Sequence, residues 1–324
     1  MRLSIITVCY NQPHIKETCE SIAAQTWRGF EWIVVDGEST DGTMDTIRQY
    51  EPIIDVLISE KDSGVYNAMN KGIRHAKGEY ILFLNGGDSL LSRYALEQVF
   101  SGDFDGGDVV YGDCVEVPLN GRPRVRTYTN AEIDENYFLS SNGFLPHQAA
   151  FIKRALFEQF GLYNEKRRIA ADWEKWIEFS QKGCRFKKIN SIVSCFRMDG
   201  LSSTSQTRHI VLEEMENILA ERFPENKLKA RAFLQARESS PGTEKINDNK
   251  YKPFSTIFLL GFTVIKILRT IDARKTKYYC FGIPAIKKQR DGDGGTSWLL
   301  FCCLRIFRKH TIEYEQCLEF ISLK

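Results

Sequence analysis

The stretch ILFLNGGDSL, residues 81–90, runs four apolar residues into Asn85-Gly86-Gly87-Asp88. One carboxylate behind two residues without side chains makes either a tight turn with an Asp cap or a place where a large anionic ligand comes close to the backbone. Other apolar runs end in the same way, at Asn11, at Asp36, and at Glu60 with Asp62. A further acid, Asp172, stands beside Trp173 in ADWEKW, residues 171–176. Carboxylates can hold a hard cation through oxygen, and they can take the proton of an attacking hydroxyl.

Such residues act together only if the chain brings them to one edge. LSIITV (3–8), EWIVV (31–35), VLIS (56–59) and YILFL (80–84) each predict a buried strand. Helical patterns lie between them: 14–25, with Ile15, Cys19, Ile22 and Ala23 at helical spacing; 41–50, with Thr40 or Asp41 as N-cap; and 63–76. This alternation predicts an α/β fold with a mostly parallel central sheet, which binds ligands beyond the carboxyl ends of its strands. Four strands then point polar or acidic residues at one rim. Farther on, 108–117 and 190–197 read as strands and 142–152 as a loop entering a strand. Residues 170–183 form a helix closed by Gly183, 208–235 a charged helix, and 238–250 a polar linker.

The 324 residues carry a net charge of only +2, which argues against a general nucleic-acid binder. That sum hides an asymmetry: residues 251–324 hold 13 basic and 6 acidic side chains, a balance of +7, against −5 for the rest. Nine scattered cysteines without a CxxC pair fit a reducing compartment. The first residues, MRLSIITVCYNQ, have too short an apolar run for a signal peptide. A cytoplasmic location is therefore expected. No pattern encodes an oligomeric state.

Six stretches, in order, carry a family likeness: SIITVCYN (4–11), IVVDGESTDGT (33–43), SEKDSGVYNAMNKGI (59–73), FLNGGD (83–88), PHQAAF (146–151) and ADWEKW (171–176). Over residues 1–205 the chain resembles a family 2 inverting glycosyltransferase of GT-A fold, the nucleotide-diphospho-sugar transferase fold. Within that family it is most similar to bacterial enzymes of exopolysaccharide and lipopolysaccharide synthesis, including the colanic-acid type. The resemblance implies a catalytic domain over 1–215, a helix and linker over 216–250, and a tail over 251–324.

The resemblance also implies roles. Asp88 is the ligand of a divalent metal, Mn²⁺ or Mg²⁺, which neutralises the departing diphosphate. The acids common in the family at 85 and 87 are Asn85 and Gly87 here, which puts metal affinity in question. Thr7, Tyr10, Asn11 and Asp36 line the pocket of the donor's base and ribose, and Asp62, Lys71 and Asn85 complete the donor site. Asp172 is the catalytic base, although the Glu that often precedes it is Ala171. His147, Gln148 and Trp173 border the acceptor. Each has a plainer reading beside it. DGESTDGT forms an Asx-turn and a helix cap, Lys71 is a solvated helix residue, and Asp172 is the N-cap of its helix.

The tail holds an uncharged run, FSTIFLLGFTVI (254–265), followed by Lys266 and Arg269, and a second patch, SWLLFCCL (297–304). A membrane span needs about 20 apolar residues. These runs are too short, so the tail is expected to be helical and to lie in the interface of an anionic membrane face. The implied partners are a nucleotide-sugar donor and a lipid-linked glycan acceptor, with the enzyme peripheral on the inner face of the cytoplasmic membrane. A catalytically inactive sugar-nucleotide scaffold is the competing reading. VCYNQPH (8–14) contains no Gly, Lys or Arg, which disfavours a nucleotidyltransferase, and no GxGxxG follows the first strand.

Overall fold

A computed structural model describes residues 2–226 except 102–103, 105, 120–121, 129–132, 140–142 and 205, and the backbone of 251–289 except 260–261, 271–274 and 281–282. The chain divides into two units, one of residues 1–119 with 126–240 and one of 120–125 with 241–324.

In the first unit β1 (Leu3–Cys9), β2 (Phe30–Asp36), β3 (Val56–Ser59) and β4 (Tyr80–Phe83) are the predicted strands. They are linked through α1 (Ile15–Ala23), α2 (Thr43–Arg48) and α3 (Val65–His75). They lie in the order β3-β2-β1-β4, all parallel. Alternate residues serve opposite faces. Ile6, Val8, Ile33 and Val35 pack toward α3, and Leu3, Ile5, Trp32 and Val34 toward α1 and α2. With both faces covered, these strands read as continuous apolar runs.

The other half follows through β5 (Ser89–Leu90), α4 (Ala95–Ser101), β6 (Val109–Pro118), β7 (Arg124–Arg126), of which only Arg126 belongs to this unit, and α5 (Glu135–Phe138). It ends with β8 (Ala150–Lys153), α6 (Arg154–Phe160), α7 (Ala171–Gln181), β9 (Phe186–Met198) and α8 (Arg208–Arg222). The expected mostly parallel sheet is corrected here. The sheet is mixed, because β8 runs antiparallel between β4 and β6, and β5 antiparallel to β9. A four-residue strand buried on both faces reads the same in either direction, and the connection that delivers it sets its sense. Two helices also differ from expectation. α2 starts after Gly42, with Asp41 making an Asx-turn to Thr43, and α8 stops before a 3₁₀ turn at Pro224–Asn226.

In the second unit, residues 251–289 form four antiparallel strands, β10 (Tyr251–Leu259), β11 (Phe262–Thr270), β12 (Lys275–Cys280) and β13 (Ile283–Gln289). The expected helical tail is thereby corrected over 254–265, which divide between two strands. Phe254, Thr256, Ile257, Thr263, Val264 and Ile265 are of the types that favour extended chain. The apolar patch 297–304 lies outside the described residues, as do 227–250. Among the described residues, no helix is long and apolar enough to cross a membrane.

Candidate active site

Parallel pairing sets the ends of β1 to β4 side by side, and the pairing continues into the loops. Gly86 N–H donates to Val8 O at 3.0 Å, Gly37 N–H to Cys9 O at 2.9 Å, and Glu60 N–H to Asp36 O at 3.1 Å. The NGGD turn is thus tied to the first strand. Gly87 adopts φ +98°, a conformation that favours glycine. At Gly86 an added Cβ would stand 2.8 Å from Gln12 Cγ and 3.1 Å from Cys9 Cβ, so the turn has no room for a side chain there.

Asp88 turns inward and is 5% exposed. Its Oδ1 accepts the Arg197 N–H at 3.0 Å, and its carbonyl accepts the Thr18 hydroxyl at 2.6 Å. Burial pushes its carboxyl up to about 7, opposed by the His147 charge and the Arg197 N–H. A buried oxygen donor whose bare charge is so disfavoured fits a cation, which would relieve that cost. Among the described residues no group of three or more His, Cys, Asp or Glu could hold a metal. A cation at Asp88 would therefore need most of its ligands from the substrate.

Asp172 lies in the first turn of α7, and the N-cap is Ala170, so the reading of Asp172 as the cap is corrected. Its Oδ1 accepts the Trp173 N–H at 2.8 Å and faces the Tyr66 hydroxyl at 3.0 Å. Its Oδ2 lies 3.1 Å from His147 Nδ1. The other imidazole nitrogen, Nε2, lies 3.4 Å from Asn85 Nδ2. The network therefore assigns the proton of neutral His147 to Nδ1. Burial pulls the His147 pKa down, but the hydrogen bond to Asp172 and the charges of Asp172 and Asp88 hold it above the ordinary imidazole value. Asn85 Oδ1 is buried without a partner.

Asn85, His147 and Asp172 thus form one chain of contacts, with Asp88 close enough to bias the imidazole. Where the donor is expected, Tyr10 is 63% exposed at the end of β1. A Cβ at Gly37 would meet Asp62 Oδ2 at 2.5 Å and the Tyr10 ring at 3.3 Å, so the ring and the carboxylate flank a bare backbone.

Other expected contacts are taken up inside the protein. Thr7 is fully buried, and its hydroxyl accepts the Trp32 indole N–H at 3.0 Å. Asp36 is fully buried, and its oxygens are occupied by Ser39 and by the Ser59 hydroxyl at 2.8 Å, so it shapes the loop. Asn11, at φ +45°, accepts the Thr40 N–H at 2.8 Å. Lys71 is held by Glu60 at 2.8 Å and the Lys61 carbonyl at 3.0 Å. Gln148 is buried. Trp173 is fully buried, and its indole N–H donates to Gly143 O at 3.0 Å, so an acceptor sugar cannot stack on it. The burial follows from its place on the inner face of α7, one residue from Asp172.

Sequence reading missed two residues of the site. Tyr66 lies in the family-like stretch 59–73 and reaches Asp172 across 106 positions. Arg197 ties β9 to Asp88 and pairs through its guanidinium with both oxygens of Glu17 at 2.8 and 2.7 Å. The only sign of Arg197 in the sequence is a cation at the end of an apolar strand.

A model of the family described as Glycosyl transferase family 2 matches residues 4–161. A PGL/p-HBAD biosynthesis glycosyltransferase of Mycobacterium tuberculosis is 34% identical over 209 residues, 62% of this chain and 79% of the relative. Among solved structures, Staphylococcus aureus TarS 1–349 in complex with UDP-GlcNAc is similar with a TM-score of 0.55 at 18% identity, over 77% of this chain and 75% of that one. The mannosyltransferase PcManGT from Pyrobaculum calidifontis, in complex with GDP-Man and Mn²⁺, is similar with a TM-score of 0.53 at 21% identity, over 73% and 68%. At such identities the two structures show the fold.

Proposed function

The chain belongs to glycosyl transferase family 2, and from that premise we propose that it moves one sugar, with inversion, from a UDP-sugar to a lipid-linked glycan in cell-surface polysaccharide synthesis. One observation carries the reading: a buried carboxylate, Asp172, is linked through His147 to Asn85, on the turn that holds Asp88.

Inversion requires in-line attack by the acceptor hydroxyl, which gives up its proton as it attacks. Trp173 N–H and His147 Nδ1 face the Asp172 carboxylate as donors, and the Tyr66 hydroxyl lies beside it with its one proton shared with the Ile169 carbonyl. A carboxylate has about four lone-pair sites, so at least one stays for the acceptor hydroxyl. His147 fixes the orientation of Oδ2, and Asn85 holds the far side of the imidazole. On the donor side, the exposed Tyr10 ring offers a face for the base, and Asp62 an acceptor for the single N–H of uracil. Gly86 and Gly87 let the turn fold tightly against Gln12, Cys9 and Thr18, which fixes where Asp88 stands. Asp88 would hold Mn²⁺ or Mg²⁺ together with that diphosphate, and the ion would supply positive charge to the leaving group. Metal use draws support from the Mn²⁺ complex of the mannosyltransferase neighbour. We also propose that the +7 tail draws the chain to the inner face of the cytoplasmic membrane.

Isothermal titration of UDP into the native chain and Asp88→Ala, with and without Mn²⁺, tests the reading. Metal-dependent binding that the variant loses is expected. Metal-independent binding would remove the metal role. Binding of GDP but not UDP would change the donor. No binding of any nucleoside diphosphate would leave the inactive scaffold.

A further inference from the structure

α7 carries Asp172, so whatever fixes the start of α7 fixes the carboxylate. The N-cap, Ala170, has no side-chain oxygen to offer the free N–H groups of the first turn. Just upstream of the helix, the backbone N–H groups of Arg168, Ile169 and Ala170 converge on one carboxylate, that of Glu214 in α8. Its Oε2 accepts from Ile169 and Ala170 at 2.9 Å each, and its Oε1 accepts from Arg168. The segment so held also presents the Ile169 carbonyl to the Tyr66 hydroxyl, which lies 3.0 Å from Asp172 Oδ1. A single side chain thus grips both the helix that bears Asp172 and the backbone that orients its tyrosine partner.

Other contacts join the same two helices without touching this arrangement. Arg167 pairs with Glu174 at 3.2 Å and with Glu221, and Arg222 reaches Glu174 and Glu178 at 3.6 Å each. They clasp α7 to α8 along its length. Glu214 alone among them bonds to the backbone of residues 168–170.

We infer that Glu214 is a positioning residue, which acts through the 168–170 backbone to hold Asp172 against His147 and Tyr66. The inference rests on the reading of Asp172 as the base, but its first test does not need turnover. If Glu214 holds Asp172, loosening it weakens the Asp172–His147 bond, and that bond keeps the imidazole pKa up. Glu214→Gln keeps the shape but turns an amide N–H₂ toward backbone donors.

The experiment follows the imidazole titrations of the five histidines by NMR in the full chain, with His147→Asn identifying the His147 signal. In Glu214→Gln the His147 midpoint is expected to fall measurably toward the ordinary imidazole value. Glu221→Gln, which breaks only the Arg167 pair, is expected to leave it in place. An unchanged midpoint in folded Glu214→Gln, or an equal fall in Glu221→Gln, overturns the inference. Should the Gln variant not fold, Glu214→Asp, which keeps the charge but withdraws it by one methylene, gives the same readout. Where the native chain hydrolyses a UDP-sugar, Glu214→Gln is expected to lower that rate about tenfold or more with UDP affinity unchanged, as for a misplaced catalytic group. A native chain that binds no nucleotide would sink the transferase reading, while the His147 midpoint would still judge Glu214.

Discussion

Asp88 and His147 carry opposite burdens. Burial raises the Asp88 pKa to about 7 from 3.8, so the folded state binds its proton more tightly than the unfolded state does. Native stability then falls as pH rises from about 4 to about 7, by about 1.4 kcal/mol for each pH unit in that window. In metal-free buffer Asp88→Asn is therefore expected to be more stable than the native chain, by ~2–4 kcal/mol above pH 7 and by nothing below pH 4. Urea unfolding at the two pH values checks this, and an equal effect at both would show that the carboxyl is not strained. His147 bears instead on turnover. Its pKa is raised, so protonation sets in above the ordinary 6.5, and the cation beside Asp172 makes that carboxylate a poorer base. Donor hydrolysis is expected to fall as pH drops through that raised value. His147→Gln should flatten this limb, and Asp172→Asn should lower the rate about 10²-fold or more at every pH.

At the level of elements, the parallel half of the sheet was legible because each of its strands is an apolar run that breaks at a polar residue. The sense of β8 was not, since a short, doubly buried strand carries no directional mark. The rim residues were legible as types. Their engagements were not, because the partners lie far away in the chain: Arg197 meets Asp88 over 109 positions, and Tyr66 meets Asp172 over 106. Trp173 shows the same gap. Its neighbour Asp172 faces the site, while the indole goes inward and donates to Gly143, in the loop that leads to His147. Trp173→Phe removes that donor and leaves the Gly143 carbonyl buried without it, at a cost of about 1–3 kcal/mol. Thermal unfolding is expected to report that loss with the KM for acceptor unchanged. A raised acceptor KM at unchanged stability would restore the indole to the acceptor site.

For the molecule as a whole, charge is divided as the proposed function would divide it, with a balance of −5 over residues 1–250 and +7 over 251–324. An acceptor attached to lipid stays at the membrane surface, so an enzyme held there meets it at higher effective concentration. The described part of the tail is extended chain in four strands, so under the proposed membrane reading that part acts through charge rather than as an amphipathic helix. Basic residues near an anionic surface contribute about 1 kcal/mol each, and salt screens them within about 10 Å at 0.1 M. Co-sedimentation of the full chain is therefore expected with vesicles rich in phosphatidylserine but not with neutral ones, and it should weaken steeply between low and physiological salt. A chain ending at residue 250 should stay in solution with either lipid. If that shorter chain sediments as well as the full one, the membrane contact belongs to the first unit and the basic tail serves another purpose. If the full chain binds neutral vesicles equally well, insertion of apolar residues replaces charge as the cause.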